Sequence, residues 1–281
     1  MTAFPDPKAF AALYSETPGI IRHTLADHPL FTLPALVDLA GTLDPKHVEY
    51  NRGDLPTGID PGDVPANGLS IADTIRGIEQ NGSWMVLKFV ERNPAYKALL
   101  EATLGELMPV IGPVTGAMHQ LESFIFVSSP NSVTPLHFDP EHNILLQLRG
   151  TKTMTVFPAT DAEIAPNELH ERFQLGLASR NLPWDDAYAA RGTEHVLAAG
   201  DGIHVPVMTP HWVKNGPDVS ISFSVTWRSE WSYRAADAHA FNAVLRRAGL
   251  KPARPGRYPV QNAAKAFAWR AMRKMGRFAA R

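Results

Sequence analysis

The chain has 281 residues, 44% apolar and 20% charged, with a formal net charge of −1 and no cysteine. Such a composition suits a globular protein of one large or two small domains, and excludes wholesale disorder, collagen-like repeats, disulfide scaffolds, iron–sulfur clusters and thiol catalysis. No run approaches the ~20 apolar residues of a spanning helix, and the opening MTAFPDPKAF lacks the basic-then-apolar order of a secretory signal, so a cytoplasmic location is expected.

Residues 1–116 read as an N-terminal mixed α/β region that packs on a strand-rich barrel. The stretch PTGIDPGDVPANG, 56–68, is a loop by composition. Residues 70–80 read as a short helix opened by Ser70, with Asp73 placed as in a capping box. SWMVLKFV, 83–90, has the texture of a strand. Residues 93–107 carry Leu99, Leu100, Leu104 and Leu107 at helical spacing.

Residues 117–230 are strand-rich. Short runs at 123–128, 144–149, 152–157, 202–206 and 219–227 hold β-branched and aromatic residues, with turn residues between them. Gly150-Thr151 reads as a tight hairpin joining two of these runs, and an insertion near 160–193 interrupts the series. Many short strands with few helices predict a sandwich or barrel. Residues 231–281 turn helical: 233–248 form one helix ended by Gly249, and 262–280 a second.

The chemistry concentrates in SVTPLHFDPEHNILLQLRGTKTMTVFP, 132–158. His137 and Asp139 stand two apart at a strand edge, so alternation points imidazole and carboxylate the same way. His211 lies far downstream, just before another strand. Two histidines and one carboxylate can cap one face of an octahedral ion and leave the other positions open, as a non-haem Fe(II) oxygenase requires. On the residues alone, a chance His-x-Asp in a chain with eleven histidines stays open too. Lys152 shares a strand face with Met154 and Val156, where its ammonium would be buried without an acidic partner on that strand. A bound dicarboxylate chelating the metal at one end would resolve this, and so would a lysine snorkelling from a strand end.

These stretches resemble the two cupin motifs, at the iron-binding spacing of the JmjC-type 2-oxoglutarate-dependent oxygenases. His137 and Asp139 are followed by Asn143 and Gly150. In the second stretch Gly200, Pro206, His211 and Asn215 keep the motif's order. Met208 and Asn131 depart from the residues that the cupin pattern prefers. The segment V-T-P-x-H-x-D-x-x-x-N, then G-x-K, looks most like the asparaginyl hydroxylase subgroup that acts on hypoxia-inducible factor and its bacterial cupin-like relatives.

The resemblance implies a mainly β fold with flanking helices, a double-stranded β-helix or jelly roll. It implies Fe(II) on His137, Asp139 and His211, with 2-oxoglutarate held by Thr134, Asn143 and Lys152. A polar residue of the last strand would assist, drawn from Ser222, Ser224 and Thr226; the subgroup's asparagine there is missing. Dioxygen is the co-reactant, and ascorbate supports activity in this class. The implied function is a dioxygenase, a hydroxylase of a protein side chain, small molecule or envelope glycolipid. The alternatives are N-methyl demethylation, a metal- or ligand-binding cupin without turnover, and a zinc or manganese isomerase. His204 reads as a core residue or an inward neighbour of the metal, His142 as a turn residue, and Trp212 and Trp227 as core or border of a substrate cleft.

From Arg246 onward the chain carries eleven Lys or Arg and no acidic residue, leaving 16 basic against 28 acidic side chains before it. The last helix aligns Ala264, Phe267, Ala268, Ala271, Met272, Met275 and Phe278, with Lys265, Arg270, Arg273, Lys274 and Arg277 largely elsewhere. Packing on its own domain or homodimerisation through C-terminal helices is expected, the latter by resemblance. A basic helix of this kind also suits contact with the inner membrane surface. Nucleic acid is not expected as a partner, because no recognised motif accompanies the charge.

Overall fold

The computed structural model describes residues 2–56, 59 and 63–276. In chain order its regular elements are α1 (Pro7–Leu13), β1 (Gly19–Arg22), α2 (Leu33–Thr42), β2 (Val48–Arg52), α3 (Ile71–Arg76), β3 (Ser83–Lys88), α4 (Pro94–Gly105) and α5 (Met108–Thr115). There follow β4 (Met118–Ser128), β5 (Val133–His137), β6 (His142–Arg149), β7 (Lys152–Val156), α6 (Asn167–Gln174), β8 (Thr193–Leu197), β9 (Asp201–Val205), β10 (His211–Asn215), β11 (Ser220–Ser229), α7 (Glu230–Arg247) and α8 (Ala263–Lys274). No helix among the described residues is long and apolar enough to cross a membrane.

The strands form two antiparallel sheets, one of seven strands ordered β1-β9-β6-β11-β4-β3-β2 and one of four ordered β5-β10-β7-β8. Their facing sides meet in a core of Leu145, Ile203 and Val205 from the larger sheet against Met154, Val156, Leu197 and Val213 from the smaller. This is the jelly-roll arrangement expected from the sequence. Alternation decides which side each residue takes. On β11, Ile221, Phe223, Val225 and Trp227 join the core beneath the N-terminal helices, while Ser222, Ser224 and Thr226 take the opposite, inward face. On β6, Ile144, Leu146 and Leu148 likewise face the helices, and Asn143, Leu145 and Gln147 face inward. The larger sheet therefore turns apolar residues to the helices and a polar file into the barrel.

Helix starts follow local capping chemistry. Ser70 accepts from the Asp73 N–H, Asn93 accepts from the Ala95 N–H, and Ser229 with Ser232 closes a reciprocal capping box. Gly249, at φ +83, ends α7.

Three expectations need correction. Gly150-Thr151 is not a hairpin between paired strands: β6 pairs with β9 and β11, whereas β7 pairs with β8 and β10. The turn carries the chain from one sheet to the other, and a side chain at Gly150 would meet the Val219 carbonyl oxygen at 2.3 Å. Turn residues announce a reversal but not the sheet to which the chain goes next. His142 is no turn residue either. It opens β6, fully buried, stacked on Trp227 at 5.2 Å with its Nε2 2.9 Å from Ser229 Oγ.

The third correction concerns α8. It docks on α7 through Ala266 and Trp269, both buried, with Arg270 Nε 2.5 Å from Asp237 Oδ2. Of the apolar stripe aligned in the sequence, Ala264, Phe267 and Met275 face outward, Phe267 74% and Met275 60% exposed, while Ala268, Ala271 and Met272 are half-buried. The helix carries two apolar edges, and α7 takes the one with the indole. Arg277 and Phe278 lie outside the described residues.

Candidate metal centre

The smaller sheet builds the site. His137 ends β5 and lies directly opposite His211, which opens its own strand β10 rather than preceding one. Between His137 and Thr134 the β5 strand holds one residue more than β10 does between His211 and Val213. This bulge lets Thr134 and His137, an odd number apart, both pair with inward-facing partners. Asp139 comes in the turn after β5. Its backbone carbonyl accepts from the Met208 N–H at 2.7 Å. Met208 takes φ +59 and Asn131 φ +61, so both departures from the cupin pattern sit in left-handed backbone.

The three side chains converge. Asp139 Oδ1 is 3.8 Å from His137 Nε2, and Oδ2 is 3.6 Å from His211 Nε2. One ligand atom from each lies within 4.8 Å of the others, and all three residues are buried. His137 Nδ1 is 2.8 Å from the Pro135 carbonyl oxygen, and His211 Nδ1 is 2.9 Å from that of Thr209. A carbonyl only accepts, so Nδ1 carries the proton and Nε2 keeps its lone pair for a metal. Burial, reinforced by His211 and Arg180 against the pull of Asp139, pushes His137 down to about 3 and keeps it neutral. Burial raises the Asp139 pKa, but Arg180, the two imidazoles and Asn143 outweigh it and hold the carboxyl well below the usual range. Two imidazoles turned to offer Nε2 and one carboxylate form a donor set that fits a divalent transition metal with positions to spare.

The supporting residues are arranged behind this triad. Asn143 Nδ2 donates to Asp139 Oδ2 at 2.9 Å, and Ser224 Oγ donates to Asn143 Oδ1 at 2.8 Å. Both residues thus steady the carboxylate. Thr226 Oγ1 donates to the Glu122 carbonyl at 3.3 Å, and Ser222 Oγ to Gln147 Oε1 at 2.7 Å. Thr134 Oγ1 accepts from Trp84 Nε1 at 3.2 Å.

Lys152 lies on the same inward face, opposite Asn215, while His211 faces Val156 at the other end of β7. It is 5% exposed, makes no ion pair among the described residues, and burial pushes its pKa down to about 7. A buried ammonium without a carboxylate is costly and fits an anionic ligand in the barrel.

Other expected neighbours are elsewhere. His204 sits on the helical side between Phe10 and Tyr14, its Nδ1 3.0 Å from the Thr17 carbonyl. Trp227 is core, and Trp212 packs on Trp184 against a second core that the insertion shares with Leu136, Phe138, Val207 and Trp231. Sequence reasoning missed Trp84, Glu141 and Arg180. Burial and then Asp139 raise Glu141 to about 7, against the pull of Arg228 and Arg180. Arg180 Nη1 donates to Asp139 Oδ1 at 2.8 Å from 41 residues away, with no local pattern to announce it.

A profile of the cupin-like domain matches residues 80–233, more than half of the chain. The protein belongs to the cupin-like domain family. The cupin-like chain is also 31% identical over 101 residues to lysine-specific demethylase 8 of Danio rerio, covering 34% of this chain and only 24% of that protein. Among solved structures it resembles YcfD of Escherichia coli, with a TM-score of 0.53 and 15% identity over 96% of this chain and 68% of that one. Another structure of YcfD, described as a ribosomal oxygenase, matches with a TM-score of 0.49 and 14% identity over 96% of this chain and 68% of that one. At these identities the likeness concerns the fold.

Proposed function

We propose that this cupin-like protein is an Fe(II)- and 2-oxoglutarate-dependent oxygenase, most closely allied to the asparaginyl hydroxylase subgroup. The carrying observation is a ligand-ready triad, His137 and His211 on one barrel face with Asp139 from the adjoining turn, and, further along that face, the unpaired buried ammonium of Lys152. Fe(II) held by the triad would supply dioxygen activation coupled to decarboxylation of the keto acid. The chain's own part is positional. His137 and His211 offer Nε2, Asn143 and Ser224 steady Asp139, Lys152 neutralises the distal carboxylate of 2-oxoglutarate, and Thr134 offers it a hydroxyl. Leu145, Val205 and Val213 line the barrel interior as part of one apolar cluster.

The reaction class that these features support is C–H hydroxylation of a protein side chain, small molecule or glycolipid. N-methyl demethylation is the second reading, favoured by the stretch shared with lysine-specific demethylase 8. The test is succinate formation from 2-oxoglutarate with Fe(II), ascorbate and dioxygen. Turnover that needs all of these and disappears in Asp139→Ala supports the proposal. Fe(II) binding without any succinate, coupled or uncoupled, would make the protein a binding cupin.

A further inference from the structure

Arg180 comes from the insertion between β7 and β8 and is held there by backbone pairing along the free edge of β5. Phe138 N–H donates to the Arg180 carbonyl at 3.2 Å, Leu182 N–H donates to the Leu136 carbonyl at 2.9 Å, and Asn181 bridges to His137. Leu182 is buried in the second core and anchors the segment. The guanidinium therefore has a fixed root, although its side chain remains 51% exposed.

The two oxygens of Asp139 face the two imidazoles almost equally, Oδ1 at 3.8 Å from His137 Nε2 and Oδ2 at 3.6 Å from His211 Nε2. Those distances do not choose between one-oxygen and two-oxygen binding of an ion. The hydrogen bonds do. Oδ2 accepts from a neutral amide, Asn143 Nδ2, at 2.9 Å, whereas Oδ1 accepts from the cationic Arg180 Nη1 at 2.8 Å. A charge-assisted bond is about twice as strong as a neutral one and draws more density from its acceptor. Oδ2 is left as the better metal ligand.

We infer that Arg180 is a positioning residue that restricts Asp139 to binding a divalent ion through one oxygen and loosens the site's hold on that ion. Two-oxygen binding would consume one of the three positions that a chelating keto acid and dioxygen need. The inference rests on the triad binding a divalent metal, and its test does not use turnover.

The full chain is titrated with Mn(II). Affinity is read from the electron paramagnetic resonance of free Mn(II), and exchangeable inner-sphere water from proton relaxivity. Arg180→Gln is expected to bind Mn(II) on the order of tenfold more tightly, because a neighbouring positive charge is gone. Its bound-ion relaxivity should fall by about a third, as three open positions of a six-coordinate ion become two. Arg180→Lys, which keeps the charge, should keep the wild-type affinity. Equal or weaker Mn(II) binding by Arg180→Gln with unchanged relaxivity overturns the inference, as does a wild type that binds no Mn(II). Normal Mn(II) behaviour with no succinate formation would sink the oxygenase proposal alone.

Discussion

The barrel face of the smaller sheet and the helical face of the larger one both carry buried histidines, and only one set is built to hold a metal. His211 and His204 make the comparison sharp. Each has Nδ1 against a backbone carbonyl, Thr209 for His211 and Thr17 for His204, so in each it is Nε2 that is turned to offer a lone pair. Burial pushes His204 down to about 4, against the Thr17 hydrogen bond, and His137 down to about 3, so neutrality does not separate the sets. The surroundings do. His204 Nε2 has no hydrogen-bond partner and its ring lies among Phe10 and Tyr14, whereas His211 Nε2 faces a carboxylate and, across the strand pair, a second imidazole. Tautomer and burial prepare a ligand. A shared carboxylate, delivered by the turn after β5, makes a site.

Breaking that comparison at the carboxylate should have the largest effect. Asp139→Ala is expected to lose divalent metal affinity by more than about 100-fold, measured by calorimetric titration, since even outer residues of such sites are worth 10–100-fold. His204→Ala should leave metal binding intact and cost roughly 1–3 kcal/mol of stability in a denaturant melt, as loss of a buried hydrogen-bonded group does. Metal loss in His204→Ala would erase the distinction between the two faces.

Next comes Lys152. Lys152→Met is expected to raise the 2-oxoglutarate requirement by roughly 10–100-fold, with metal binding retained, because a buried charge partner is removed. Without cosubstrate the sign reverses. The folded-state pKa near 7 lies below the ordinary 10.5 of lysine. The unfolded chain therefore binds more protons between these values, and stability rises with pH across that window. The destabilisation is full below about pH 7 and gone above about pH 10.5. Melting temperatures of wild type and Lys152→Met should thus differ most at pH 6 and converge toward pH 10, with the variant more stable at the acid end. Equal melting temperatures at pH 6 would mean that the ammonium is solvated.

Smaller effects test the polar file behind the triad. Ser224→Ala frees Asn143 Oδ1 and should weaken metal binding by about tenfold, the lower end for outer supports of a metal site. Asn131→Gly relieves an exposed left-handed residue and should raise stability by a few tenths of a kcal/mol, about the size of such backbone gains. A loss there would show that the Asn131 side chain contributes more than its backbone strain costs.

Much of the site is legible along the chain because its parts are local. His137, Asp139, Asn143 and Lys152 fall within sixteen residues, and strand alternation orients most of them before any tertiary contact is known. Alternation alone misplaces Thr134, which reaches the inward face only through the bulge in β5. The Pro-Glu-His-Asn context of His142 looks like a turn, yet pairing with Trp227 of β11 extends β6 back to it. The outward stripe of α8 shows the same limit: two apolar edges are present, and the packing partner chooses.

Residue order by itself determined the pairing of His137 with Asp139, the inward file of Ser222, Ser224 and Thr226 on β11, and the capping of the helices, because each depends on neighbours a few positions away. Only the tertiary structure decided that the chain changes sheets at Gly150, that His204 and His142 belong to the helical core, and that Arg180 meets Asp139. Those outcomes depend on which distant strand or loop occupies an edge, and that choice minimises the burial cost of the whole assembly rather than of any segment.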